Sequence, residues 1–244
     1  MSTTGDGLRE YSRGQEDGLI QEIAAQDAVD FRSEVIRKLI HLLSLAIPIA
    51  YYFIPRWLGL EIIIPLAVGF VIVDLSRYEV PIVSGLFYKF FGFLLRKREV
   101  DEKRHALNGA TFMLLSGALC IAIFPKFIAI NSFTVLILAD AASAVFGKRF
   151  GRHKIFPNRG TPRSYEGSIA FVIAGVVAMA LTPKIHYLFG EYLIGFVACL
   201  TGAAAEVLSF GIIDDNIAIP VTYALTMWAL YVVFYPHLKV YFMG

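Results

Sequence analysis

Several carboxylates in this chain stand at the ends of apolar stretches: Asp140, Glu166, Glu206, Asp214 and Asp215. An ionisable group at membrane depth costs at least a few kcal/mol, so each needs a reason. Carboxylates are hard oxygen donors, suited to Mg²⁺. Following Asp140 is Gly147-Lys148-Arg149-Phe150-Gly151-Arg152-His153-Lys154. It is strongly cationic, and its two glycines let backbone come close to a ligand. Acids beside a flexible basic loop suit a metal-bound polyphosphate, with cations for the phosphates and carboxylates for the metal.

Other polar residues follow helical spacing. Glu34, Arg37, Lys38 and His41 stand at i, i+3, i+4 and i+7 and share one face. His105, Asn108 and Thr111 open a later stretch at three-residue steps, Ser143 lies one turn beyond Asp140, and Asp74 precedes Arg77 by three. Small residues flank the acids, as Ala139, Ala141, Ala142 and Ala144 around Asp140 and Gly202 to Ala205 before Glu206. Such runs allow close helix packing or leave room for a ligand. Plainer roles exist for some of these. The basic loops are also topology signals, His41 suits a core histidine, Asp74–Arg77 a structural pair, and the Asp214-Asp215-Asn216 turn a helix cap. Asp140 and Glu206 are hardest to explain without function. Glu191 lies near the other end of its stretch and is left outside the site.

The elements that position these residues follow from composition. Of 244 residues, 57% are hydrophobic and 17% charged, with mean hydropathy +0.64. A soluble domain carries roughly 45–50% apolar residues, and one core of this size cannot hide the surplus, which must face lipid. That excludes a soluble enzyme, a disordered chain and a disulfide scaffold. Cys120 and Cys199 lie in apolar runs and read as core residues. A net charge of +2 gives no reason to expect nucleic acid. The expected fold is an all-α integral membrane protein with about seven transmembrane helices, over 37–54, 57–75, 106–124, 127–146, 167–182, 187–211 and 217–234. Residues 1–33 form a hydrophilic arm ahead of a single transmembrane domain, 34–244, and no cleavable signal peptide is expected.

Orientation follows from Lys and Arg. Five lie in the arm and first turn of helix, seven in 76–105 and six in 147–166, against Arg56, Lys126, Lys184 and Lys239 in the opposite loops and tail. Eighteen of 22 on one side puts the N-terminus and the polar ends in the cytoplasm, and after seven crossings the C-terminus outside. Within 80–96, Ile82, Val83, Leu86, Phe87, Phe90, Phe91 and Leu94 oppose Gly85, Lys89, Gly92 and Arg96. That pattern predicts an amphipathic helix lying at the cytoplasmic interface.

No P-loop, G-x-G-x-x-G, G-x-S-x-G or H-E-x-x-H occurs, so common nucleotide folds, hydrolases and zincins are excluded. Taken in order, however, Arg37-Lys38-x-x-His41, Asn108-Gly109-Ala110-Thr111 and Asp140-Ala141-Ala142 leading to Gly147-x-x-x-Gly151 resemble the polyprenol kinase family. So do Arg163-Ser164-Tyr165-Glu166-Gly167-Ser168, Glu206-Val207-Leu208-Ser209 and Asp214-Asp215-Asn216 with Pro220. That family includes dolichol kinase, phytol kinase and the CTP-dependent diacylglycerol kinase of yeast type. The resemblance runs from about residue 34 onward. Arg163 departs from it, standing where lysine is expected, which replaces a point-like cation by a forked one.

The resemblance implies an integral membrane kinase that moves the γ-phosphate of CTP to a membrane lipid alcohol, with Mg²⁺. In this reading Asp140, Glu206, Asp214 and Asp215 hold the metal or serve as base. Lys148, Arg152, Lys154 and Arg163 neutralise phosphates, and Arg37, Lys38 and His41 complete the pocket. Asn108, Thr111, Gly147, Gly151, Ser164, Glu166, Gly167 and Asn216 are the remaining nucleotide-binding candidates. Two alternatives stand beside it. Phosphatidate cytidylyltransferases are distantly similar, but their terminal H-G-G-x-x-D-R-x-D signature is missing. A small transporter predicts acids near the bilayer centre and in both halves of the fold. The lipid alcohol and the oligomeric state are left open.

Overall fold

A computed structural model describes residues 35–91, 107–156, 163–209 and 213–238. The arm 1–33, Glu34, His105 and the far end of the amphipathic segment lie outside the described residues. Among the described residues there are eight α-helices, α1 (Val35–Phe53), α2 (Arg56–Ser76), α3 (Pro81–Phe91), α4 (Gly109–Ile123), α5 (Lys126–Phe150), α6 (Tyr165–Leu181), α7 (Phe189–Leu208) and α8 (Asp215–Phe234), and a short 3-10 turn at Pro236–Leu238.

Their boundaries follow from local chemistry. Pro55 and Pro125 stand in extended conformation just before α2 and α5, where a missing N–H costs nothing. The side chains of Asn108, Ser164 and Asp214 accept from the backbone N–H of Thr111, Gly167 and Asn216, capping α4, α6 and α8. Midway along α1 the ladder tightens, with Ser44 and Leu45 donating three residues back to His41 and Leu42, and Pro48 follows.

Helix α5 is the centre of the bundle. Its Ile128, Val135, Leu136 and Ile137 are fully buried among α1, α4, α6 and α8. Tyr223, Met227 and Tyr231 of α8 and Phe171 of α6 complete the core. Helix α2 packs on α4, with Ile63 against Gly117, turns Gly59 toward Tyr51 of α1, and leaves Ile62, Ile64, Val68, Phe70 and Ile72 exposed. Leu43, Ile173, Leu181 and Phe234 are likewise uncovered around the bundle. A belt of large exposed aliphatic side chains belongs in hydrocarbon.

Among the described residues five helices, α1, α2, α5, α7 and α8, are long and apolar enough to cross a bilayer. The third and fifth expected spans are shorter, 15 residues in α4 and 17 in α6, or about 22 and 25 Å against a core of about 30 Å. Both start at capped motif residues, which shortens them at that end. Helix α3 matches the start of the amphipathic segment, with Ile82 and Leu86 exposed and Phe87 turned inward. One feature departs from an all-helical expectation: β1 (Lys154–Ile155) pairs antiparallel with β2 (Arg163–Ser164). Two-residue strands carry no alternation to read, so the hairpin has no sequence signature.

Candidate active site

Five elements bring charged side chains to one end of the bundle. From α1, Lys38 Nζ donates to Asp140 Oδ2 of α5, and His41 Nε2 lies 3.8 Å from the same oxygen. One turn along α5, Ser143 Oγ donates to Glu206 Oε1 of α7 at 2.6 Å. Arg163, carried in by β2, places Nη1 3.1 Å from Glu206 Oε1 and Nη2 2.5 Å from Asp215 Oδ2 of α8. The expected grouping of Lys38, His41, Asp140, Arg163, Glu206 and Asp215 is thus a single contiguous cluster. Ser143 joins it, a residue the motif reading did not include, although its i+3 spacing from Asp140 was the available signal.

The cluster is dry. Lys38 is 5% exposed, Asp140 2%, Glu206 1% and Asp215 6%. Three carboxylates face two cations, so with His41 neutral the cluster carries one net negative charge. Burial alone would lower the pKa of Arg163, but Glu206, Asp215 and Asp140 outweigh it and hold the guanidinium above its ordinary value. Asp140 Oδ1 and Glu206 Oε2 are buried without a hydrogen-bond partner. A buried charged acceptor left open is costly and marks where a ligand atom belongs.

The surroundings suit an anion. The N-termini of α4, α6 and α8 begin at this end, each with a polar cap, so their dipoles turn positive potential toward it. Lys148, Arg152 and Lys154 stand exposed at its edge. Asn216 is buried and donates through Nδ2 to Asp214 Oδ1 at 2.7 Å. A Cβ at Gly109 would lie 3.5 Å from that same nitrogen, which puts the start of α4 beside the start of α8.

Other motif residues hold the frame. Gly147, Gly151 and Gly167 pack α5 against α6. A Cβ on Gly151 would fall on Gly147 O and 2.5 Å from Ser164 Oγ, and one on Gly167 would lie 3.2 Å from Gly147 Cα. Glycine here serves helix approach, and Gly147 to Phe150 belong to α5, where a loop was expected. Glu166 points to the hairpin, its Oε1 2.7 Å from His153 Nδ1 and accepting from His153 N at 3.2 Å. Tyr165 N in turn donates to His153 O, so Glu166 fastens the hairpin that presents Arg163.

Asp74 and Arg77 form a joint between helices. Asp74 Oδ2 accepts from Asn108 N at 2.6 Å and Thr111 Oγ1 at 3.0 Å. Arg77 Nε lies 3.2 Å from Asp74 Oδ1, and its guanidinium stacks 4.6 Å from the Phe87 ring centroid. This ties α2, α3 and α4 together, and it draws Asn108 and Thr111 to Asp74. Among the described residues no three His, Cys, Asp or Glu side chains converge at metal-ligand spacing. Asp140, Glu206, Asp214 and Asp215 therefore do not form a complete protein cage. Asp140 and Glu206, each with an open oxygen, are the residues that would hold Mg²⁺ if bound as it usually is beside phosphates, by one or two carboxylates with the substrate completing the shell.

At the opposite end, Glu191 is fully buried. It accepts from Tyr231 OH and Ile185 N, both at 2.8 Å, and from His186 N and Leu188 N at 2.9 and 3.1 Å. With four donors it is a structural knot.

A helical membrane bundle with a buried acid–base cluster at one mouth is the class these features define. Comparison with known proteins narrows it. The chain is 26% identical to an uncharacterized protein of Rickettsia prowazekii, over 81% of this chain and 94% of the relative. It is 28% identical to CTP-dependent diacylglycerol kinase 1 of Eremothecium gossypii, over 67% of this chain but only 57% of that kinase. It is 29% identical to phytol kinase of Synechocystis, over 81% of this chain and 79% of the relative. The named kinases among these relatives are lipid kinases, of the kind the chain's motifs resemble. No family model matches the chain, and no solved structure matches it significantly.

Proposed function

We propose that the chain is a CTP-dependent lipid-alcohol kinase that moves the γ-phosphate of CTP to the hydroxyl of a diacylglycerol or a phytol-type prenol. The observation that carries this reading is the pair of buried open oxygens, Asp140 Oδ1 and Glu206 Oε2, beneath three capped helix N-termini. The diacylglycerol and phytol kinases among the relatives supply the donor and the two candidate acceptors. A nucleotide arrives from water and an alcohol from lipid, so a site at the end of a membrane bundle is where both are within reach.

Phosphoryl transfer asks for positioning and charge stabilisation and for no covalent nucleophile. Lys148, Arg152 and Lys154 meet the phosphates from the aqueous side, and the starts of α4, α6 and α8 offer backbone N–H groups and dipole. Asp140 and Glu206 would hold Mg²⁺, and one of the two would accept the hydroxyl proton. When bound, the metal neutralises charge on the phosphate oxygens. Lys38 orients Asp140 with His41 beside it, while Ser143 and Arg163 orient Glu206. The lipid oxygen forms its bond to the γ-phosphorus as the bond to the β-phosphate oxygen breaks, and CDP leaves. The charge asymmetry of the sequence supports a cytoplasmic position for this end and the N-terminus.

The test uses the purified full chain in liposomes with CTP, Mg²⁺ and a panel of diacylglycerol, phytol, geranylgeraniol and dolichol. One of these alcohols should become a phosphate monoester with matching release of CDP, and chelation of the metal should stop it. No phosphate ester from any alcohol, with ATP equally silent, would refute the proposal.

A further inference from the structure

The end of the bundle away from the acids has a second charged feature, built from two helix turns. There Pro55, Arg56, Trp57, Leu60 and Lys126 line an open cleft of about 390 Å³. Arg56 and Lys126 are the first residues of α2 and α5, and each reaches across to the other's hairpin. Arg56 Nη2 donates to Ala122 O, and Lys126 Nζ donates to Ile54 O at 2.8 Å while lying 5.4 Å from the Tyr51 ring centroid. These acceptors are neutral carbonyls. Among the described residues no carboxylate forms an ion pair with either cation.

Capping a neighbouring helix explains one bond from each side chain. It leaves most of the five guanidinium and three ammonium N–H donors unused, and it leaves two like charges on one cleft. The starts of α2 and α5 add positive dipole potential of the same sign. The wall beside them is apolar, with Trp57 61% exposed and Tyr52 and Phe53 uncovered nearby, as in an interfacial aromatic belt. Two cations beside a lipid-facing tryptophan match a phosphate that carries acyl chains.

We propose that this cleft binds the phosphate of an anionic phospholipid headgroup in the leaflet away from the active site. Arg56 and Lys126 meet the phosphate, and Trp57 and Leu60 lie along the first part of an acyl chain. The proposal does not rest on the kinase reading, and its test needs no catalysis.

The full chain in neutral detergent is titrated with phosphatidylglycerol and phosphatidylcholine, with binding read by native mass spectrometry. Phosphatidylglycerol should bind more tightly. Basic residues at the other end also attract it, so the decisive quantity is the difference between variants. Arg56→Gln and Lys126→Gln should each weaken phosphatidylglycerol about fivefold, and together about thirtyfold. Arg56→Lys should keep the wild-type preference. A photoactivatable phosphatidylglycerol supplies a readout on the unmutated chain, with label expected in the peptide carrying Trp57. Label confined to the other basic loops, or glutamine variants that bind as wild type does, would overturn the site. Complete displacement by inorganic phosphate would make it a soluble-anion site and overturn the lipid assignment.

Discussion

Replacing Asp140 by asparagine removes one charge from a buried pair and leaves Lys38 facing a neutral amide. Both side chains are almost fully enclosed, at 6% and 3% exposure, so water cannot compensate the stranded ammonium. Breaking such a pair costs about 3–5 kcal/mol. Asparagine keeps the shape and one acceptor, which puts the expected loss at the lower end of that range, or roughly 6–12 °C in thermal midpoint. Turnover should fall by at least 10²–10³, the usual loss on removing one preorganised electrostatic group. A single variant therefore confounds folding with chemistry. The double variant Lys38→Met with Asp140→Asn separates them, because removing both charges of a buried pair is often close to neutral for stability. Thermal unfolding monitored by gel filtration and CTP-dependent formation of lipid phosphate give the two readouts. The double variant should recover most of the lost midpoint and stay inactive. Recovery of turnover along with stability would show that the Asp140 carboxylate is a structural partner of Lys38 and nothing more.

Arg163→Met leaves Glu206 and Asp215 buried without their shared cation and should cost about 3–5 kcal/mol. Arg163→Lys keeps one of the two contacts and should retain more of the midpoint, which thermal unfolding of both variants will show. Gly151→Ala puts a methyl group onto Gly147 O and Ser164; a loss of about 1–3 kcal/mol is expected from forced separation of α5 and α6. A Gly151→Ala protein with unchanged midpoint would contradict the packing role of the glycines. Glu191→Gln replaces a carboxylate with four donors and should lower stability by about 1.5–3 kcal/mol. Its folded fraction should turn over normally, and loss of kcat there would bring the far end into the mechanism.

The parts of this molecule legible in its sequence are those that rest on long averages. Continuous hydropathy located α1, α2, α5, α7 and α8, and period-3.6 spacing put Lys38 and His41 on one face toward the core. The cost of buried charge picked out Asp140 and Glu206 without structural help. What stayed hidden depends on pairing across the fold. Glu166 reads as a site acid by position, yet it fastens His153 in a hairpin too short to carry a pattern. Gly147 and Gly151 read as phosphate-loop glycines because spacing alone does not distinguish approach to a ligand from approach to Gly167 and Ser164. Asn108 and Thr111 stand in a motif but turn to Asp74, a partner 34 residues or more away. The clasp of Arg56 and Lys126 was invisible for the same reason, since each side chain acts on the other's turn.

The most direct measurement follows the label from CTP carrying ³²P at either the α- or the γ-position, using the full chain, Mg²⁺, and vesicles containing diacylglycerol, phytol and phosphatidate. Transfer of γ-label, and no α-label, to a lipid alcohol is the predicted result. Appearance of α-label in phosphatidate would contradict it, because that product requires CMP transfer and a different bond broken in the same nucleotide.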